Sequence, residues 1–92
     1  MVREYNWKEA SEILDSLRKM PNYQGYELDK DVGFYRGPYS GIEIGRTLTE
    51  NEAAIGVRQP ISRMAQHDIV LVEKNSRGEW KFKDVLNRRE TA

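Results

Sequence analysis

Apolar positions along the chain fall into distinct rhythms. Ala10, Ile13, Leu14 and Leu17 recur at three- and four-residue intervals, the spacing of a one-faced helix, and Asn6 with Glu9 forms a capping box ahead of them. The pattern predicts a helix over 7–20 that Pro21 stops, because a residue before proline is pushed out of the helical region. Its outer positions, Glu12, Asp15, Arg18 and Lys19, look like a solvated face. Near the other end, the β-branched run Ile69-Val70-Leu71-Val72 precedes Asn75-Ser76-Arg77-Gly78 and the alternation Glu79-Trp80-Lys81-Phe82-Lys83, which predicts a hairpin with one buried and one wet face. A short helix in the tail, 84–92, completes the expectation.

Between these, residues 22–39 form a connector rich in Tyr and Gly, where Tyr26, Leu28, Val32 and Phe34 alternate with polar neighbours around Asp29-Lys30-Asp31 and predict an irregular extra hairpin strand. Ser40 caps a predicted second helix over 41–48, with Ile44 and Leu48 on one face. Thr49 and Glu52 make a second capping box, predicting a short helix through Ala53, Ala54 and Ile55 that closes at Gly56. A further helix is expected over 58–67, with Pro60 tolerated in its first turn. On it Val57, Ile61, Met64 and Ala65 share one side, and Gln59, Ser62, Arg63 and Gln66 the other.

Ninety-two residues suffice for one domain, divided into an N-terminal helix (1–21), the connector (22–39), a helical and hairpin unit (40–83) and the tail (84–92). Charged residues are 33% of the chain, 15 basic against 15 acidic, so nucleic-acid affinity requires local patterning rather than bulk charge. Residues 57–92 hold eight basic and five acidic side chains, and residues 1–45 hold six and eight. The absence of Cys excludes disulfides and thiolate chemistry and suits a reducing cytoplasm, and the acids near Met1 are unlike a signal peptide. With His67 as the single histidine, no P-loop and no G-x-S-x-G element, the sequence predicts no catalytic residues, no cofactor and no metal site. His67 is expected to meet the last carbonyls of its helix, and Asp29-x-Asp31 lacks the remaining ligands of a calcium loop.

The order helix, connector, helix, short helix, helix, hairpin resembles a winged helix-turn-helix domain. Glu43-Ile44 with Leu48 is similar to the signature of that family's second helix, Gly56 to Met64 to its turn and recognition helix, and the segment 70–83 to its wing. The resemblance covers about residues 40–83 and implies an α+β fold of three to four helices with a C-terminal two-stranded wing. It further implies a prokaryotic or viral transcriptional regulator, in the cytoplasm or a host's cytoplasm, that binds double-stranded DNA, with homodimers on paired half-sites. Arg58, Gln59, Ser62, Arg63 and Gln66 would then face the major groove, and Lys74, Arg77, Lys81 and Lys83 would hold phosphates. The alternative is a protein-binding module or inhibitor that presents Tyr23, Tyr35 and Tyr39 to its partner. Neither reading involves a membrane.

Overall fold

A computed structural model describes residues 3–4, 6–61 and 64–91. Among these it holds one α-helix, α1 (Trp7–Leu17), a 3-10 turn (Pro21–Tyr23) and six strands: β1 (Arg3–Glu4), β2 (Glu27–Leu28), β3 (Phe34–Arg36), β4 (Glu52–Ile61), β5 (Met64–Lys74) and β6 (Trp80–Thr91). The expected winged helix with three to four helices is therefore corrected to a mostly-β domain. All pairings are antiparallel, in the order β1-β3-β4-β5-β6, and β2 also pairs with β4. Strands β2 and β3 lie end to end along one edge of β4: Leu28 is opposite Val57, and Phe34 opposite Ile55. The irregular hairpin expected in the connector thus becomes two short strands that pair with β4 instead of with each other.

The two capping boxes expected from the sequence have opposite outcomes. The Asn6 side chain accepts the Glu9 amide at 3.2 Å and α1 follows, because Ala10, Ile13, Leu14 and Leu17 then share one buried stripe. At Thr49 only the glutamate half of the box is present: the Thr49 amide donates to the Glu52 carboxylate at 2.7 Å, while the Glu52 amide donates to the Thr49 main-chain carbonyl at 3.1 Å, a turn bond. A strand follows it, because 53–57 is buried at every position, which suits a central strand covered on both faces. Pairing with β5 (Ala53 with Val72, Ile55 with Val70, Val57 with Asp68) replaces the helices expected over 53–55 and 58–67.

The helix expected over 41–48 is a loop. Gly45 adopts φ +75°, outside the helical region, and Ser40 bridges Thr47. The hairpin expected near 70–83 exists, but as two long central and edge strands rather than a wing, and the tail continues β6 instead of forming a helix. Its turn is closed by the Asn75 side chain, which accepts the Arg77 and Glu79 amides at 2.9 and 3.0 Å, and by Gly78 at φ +79°.

Each face of the sheet has its own cover. On one, Ala10, Ile13, Leu14 and Leu17 of α1 pack with Phe34, Ile55, Val57, Val70, Val72 and Trp80. On the other, Tyr39, Ile44 and Leu48 of the loop after β3 pack with Tyr35, Ala54, Ile69 and Leu71. Val32 and Asp29 approach β4 so closely that a Cβ on Gly56 would lie 2.5 Å from the Val32 Cβ and 3.1 Å from the Asp29 carbonyl oxygen.

The covering loop is tied down by Glu52, which is fully buried. Its carboxylate accepts from Arg46 at 2.9 and 3.1 Å and from Lys83 at 2.7 Å, besides the Thr49 amide. Burial pushes this carboxyl up, but the Lys83 and Thr49 hydrogen bonds and the charges of Arg46 and Lys83 outweigh it, lowering it from 4.5 to about 2. The Glu52 hydrogen bond in turn holds the Lys83 amine above its ordinary value.

Gly56→Ala should cost about 1–3 kcal/mol in urea unfolding, since Val32 and backbone must move; an unchanged midpoint would refute the close approach. For Glu52, a folded-state value below the unfolded one means a contribution complete above pH about 4.5 and lost as pH falls toward about 2. The stability gap between the natural protein and Glu52→Gln should therefore shrink by about 3 kcal/mol over that window, and a gap independent of pH would contradict the assignment.

Candidate functional site

A concave surface lies where the end of α1 faces the start of β6. A cleft of about 480 Å³ opens there, within the range usual for ligand sites. One wall comprises Glu12 and Ser16, four residues apart on α1, with Lys19 and Met20 from the turn that follows. The opposite wall comprises Gly78 and Glu79 of the β5–β6 turn with Trp80, Lys81 and Phe82 of β6. Its floor is apolar and its rim charged with both signs.

Helix α1 is fixed against this wall by Glu9, whose carboxylate meets Arg36 at 2.6 Å and Lys74 at 3.8 Å. The Lys74 amine lies 4.9 Å from the Trp80 ring centroid, and Trp80 is buried. Phe82 is 38% exposed, with its ring 6.0 Å from that of Tyr23, so it offers apolar surface within the cleft. Among the described residues β6 pairs only with β5, so the other edge of Trp80, Lys81 and Phe82 carries no strand. Register shifts leave Lys83 and Leu86 without a partner on β5 and end the regular stretch just past Phe82.

The residues expected to contact DNA are scattered by this fold. Arg58 and Gln59 lie on β4 and Gln66 on β5, where Gln59 is opposite Gln66; Ser62 and Arg63 fall outside the described residues. No recognition helix presents them. On the expected wing, Lys74 turns to Glu9 and Trp80, and Lys83 to Glu52 and Glu73 at 2.7 and 3.4 Å. Arg77 is exposed in the turn, and Lys81 lines the cleft.

The tyrosines expected to meet a partner are buried. Tyr23 packs 4.8 Å from Tyr26, Tyr35 stacks on Tyr39 at 4.8 Å, and the Tyr35 hydroxyl donates to the Val32 carbonyl at 2.8 Å. They supply core where aliphatic residues are scarce, and their rings offer no open surface. His67 is on β5, not at a helix end, and its Nδ1 lies 2.6 Å from Asp29 Oδ2. Asp29 also accepts the Asp31 amide at 3.2 Å, a turn contact that accounts for the Asp29-x-Asp31 spacing.

The cleft was hidden in the sequence because α1 and β6 meet across more than sixty residues of chain. Its one local signal was the Trp80 and Phe82 alternation, and Glu12 and Lys19 read as plain surface. Among the described residues, no group of three or more metal-ligating side chains comes together, and no helix is long and apolar enough to cross a membrane. No known family, curated protein or solved structure matches the chain.

Exposure separates the two β6 aromatics. Trp80→Ala should cost about 3–5 kcal/mol of folding stability, and Phe82→Ala about 1–2 kcal/mol. Equal losses by chemical denaturation would mean that Phe82 is core and the cleft is not open.

Proposed function

We propose that this chain is a protein-interaction domain that accepts a short extended segment of a partner protein as an added strand on β6. The single observation behind this reading is the juxtaposition of a strand edge at Trp80, Lys81 and Phe82, unpaired among the described residues, with a facing wall from α1 and the turn after it. Strand addition uses the free main-chain N–H and C=O groups for affinity and pockets for alternate side chains for selectivity. Here the edge supplies the hydrogen bonds, and the Met20, Trp80 and Phe82 surface takes an apolar side chain.

An extended peptide suits the site better than a folded surface. The register shift beyond Phe82 limits regular pairing to a few residues. Each wall carries both signs, Glu12 and Lys19 on one and Glu79 and Lys81 on the other, which favours a segment whose apolar anchor is flanked by both charges. The neutral overall charge is consistent with a protein partner, and a Cys-free chain suits work in the cytoplasm. The alternative of an exposed tyrosine surface is set aside because those rings are buried.

Selection of displayed random peptides against the purified protein, followed by amide chemical-shift mapping, tests this. Enriched peptides should perturb the amides of 78–83 and lose at least about tenfold in affinity to Ser16→Arg, which fills the cleft without touching the core. Peptides that map elsewhere, or a dimer in light scattering that itself occupies the β6 edge, would overturn the reading.

A further inference from the structure

The main-chain ladder of the β5–β6 hairpin shows which groups of β6 face its free edge. The Asn75 amide donates to the Glu79 carbonyl at 2.9 Å, and the Lys74 amide donates away from β6, to the Asn51 carbonyl at 2.8 Å. Hydrogen-bonded and non-hydrogen-bonded pairs alternate along an antiparallel ladder. Lys74 with Trp80 and Val72 with Phe82 are therefore non-hydrogen-bonded pairs, and Glu73 with Lys81, between them, is a hydrogen-bonded one. Trp80 and Phe82 consequently turn their N–H and C=O groups to the edge, while those of Lys81 point inward to β5. Both outward-facing residues line the cleft, and β6 has no second neighbour among the described residues.

Side chains alternate along the same strand. Trp80 packs in the core under α1 and Phe82 lies beside Tyr23, so the Lys81 side chain, between them, leaves from the opposite, loop-covered side. Glu73 stands across from it, but the Glu73 carboxylate is held by Lys83 at 3.4 Å, and among the described residues Lys81 has no ion-pair partner. On the α1 side the facing wall changes character along the strand. Glu9 meets the Lys74 amine that lies over the Trp80 ring, so the Trp80 end faces the part of the helix from which Glu12 lines the cleft. Tyr23 meets Phe82, so the Phe82 end faces the turn after the helix, with Met20.

We propose that the cleft selects an antiparallel partner segment whose residues read apolar, acidic, basic from its N- to its C-terminal side. The inference rests on the strand-addition reading above and names the partner chemistry of that same site. A strand running against β6 meets Phe82 first, then Lys81, then Trp80. Its first residue exchanges main-chain bonds with Phe82 and sets an apolar side chain against Phe82 and Met20. Its second stands opposite Lys81 as a non-hydrogen-bonded pair, where Cα atoms are about 4.5 Å apart and opposite charges attract across the strands. Its third bonds to Trp80 and carries a cation toward Glu12, which has no ion-pair partner among the described residues. The antiparallel direction is favoured because a parallel ladder slants its bonds and is slightly less stable. The bulge at Lys83 ends the regular edge, so three positions define the segment.

Displayed segments framed by Thr and randomised at three consecutive positions, selected in parallel on the natural protein, Lys81→Glu and Glu12→Lys, test the proposal. The natural protein should enrich the apolar, acidic, basic order. Lys81→Glu should exchange the acid for Lys or Arg at the middle position only, and Glu12→Lys should exchange the base for Asp or Glu at the third position only. A synthetic segment with Leu-Glu-Lys at its centre should bind at least about threefold more tightly than one with Leu-Lys-Glu, and Lys81→Glu should erase that preference. On binding, the Trp80 and Phe82 amides should gain protection from hydrogen exchange, whereas the Lys81 amide, already bonded within the hairpin, should not change. Lys81 and Glu12 are both exposed, and circular dichroism melts confirm that each variant is folded. Segments that perturb the amides of 78–83 without this order of charges, or whose preferences ignore both substitutions, would overturn the inference and leave strand addition standing. Protection gained at Lys81 instead of Phe82 would also overturn it. Segments that map elsewhere, or no enrichment at all, would overturn both.

Discussion

Strands β4 and β5 are apolar on both faces, and the rest of the chain is arranged around that constraint. Ala53, Ile55, Val57, Val70 and Val72 look toward α1, while Ala54, Ile69 and Leu71 look toward the loop after β3. A small chain has few elements with which to cover two faces, and here an eleven-residue helix serves one and an irregular loop the other. A helix brings its own backbone hydrogen bonds, but a loop does not, so the loop must be tied to the sheet by other means. Tyr39, Ile44 and Leu48 supply the apolar contacts, and Glu52 supplies the polar anchor through Arg46 and the Thr49 amide. The cost of burying that carboxylate is offset because Lys83 approaches from β6 as a second cation.

That arrangement determines which charges remain for recognition. Lys83 is committed to Glu52 and Glu73, and Lys74 to Glu9 and Trp80, so cations that read as an outward-facing wing hold the fold together instead. Arg58, by contrast, has an exposed and weakly held carboxylate as its partner and an unsatisfied Nε. The distinction between structural and available cations depends on which acids the folded chain brings nearby, and composition carries none of that information.

What the sequence made legible was local. The Asn6 and Glu9 box, the one-faced stripe of α1 and the Asn75 to Gly78 turn each depend on residues within a few positions of one another, and each was recoverable. The Thr49 and Glu52 box shows the limit of that reading. The Glu52 carboxylate does reach back to the Thr49 amide, yet the element that follows is decided by Val70, Val72 and the two covers, none of which is local. Residues 53–57 are apolar without interruption and fit either a buried helix or a buried strand by periodicity, and the Gly and Pro at 56 and 60 were read as helix punctuation. In the folded chain Gly56 is small because Val32 and Asp29 press against it. The cleft was illegible for the same reason, since α1 and β6, which line it, are distant in the sequence.

Two-sided burial also shapes the exposed edge of the sheet. Register shifts in β6 leave Lys83 and Leu86 without cross-strand partners, and each has a task on the loop-covered face: Lys83 reaches Glu52, and Leu86 packs on the second core. Without these insertions, strict alternation would carry Leu86 to the same face as Trp80 and Phe82, away from the second core. The bulges blunt the middle of a long edge strand, which limits indiscriminate pairing with other chains. They leave regular pairing on either side, at Trp80 to Phe82 and at the positions opposite 65–69 of β5. The same demand that buries both faces of β4 and β5 therefore decides where the free edge of β6 stays regular.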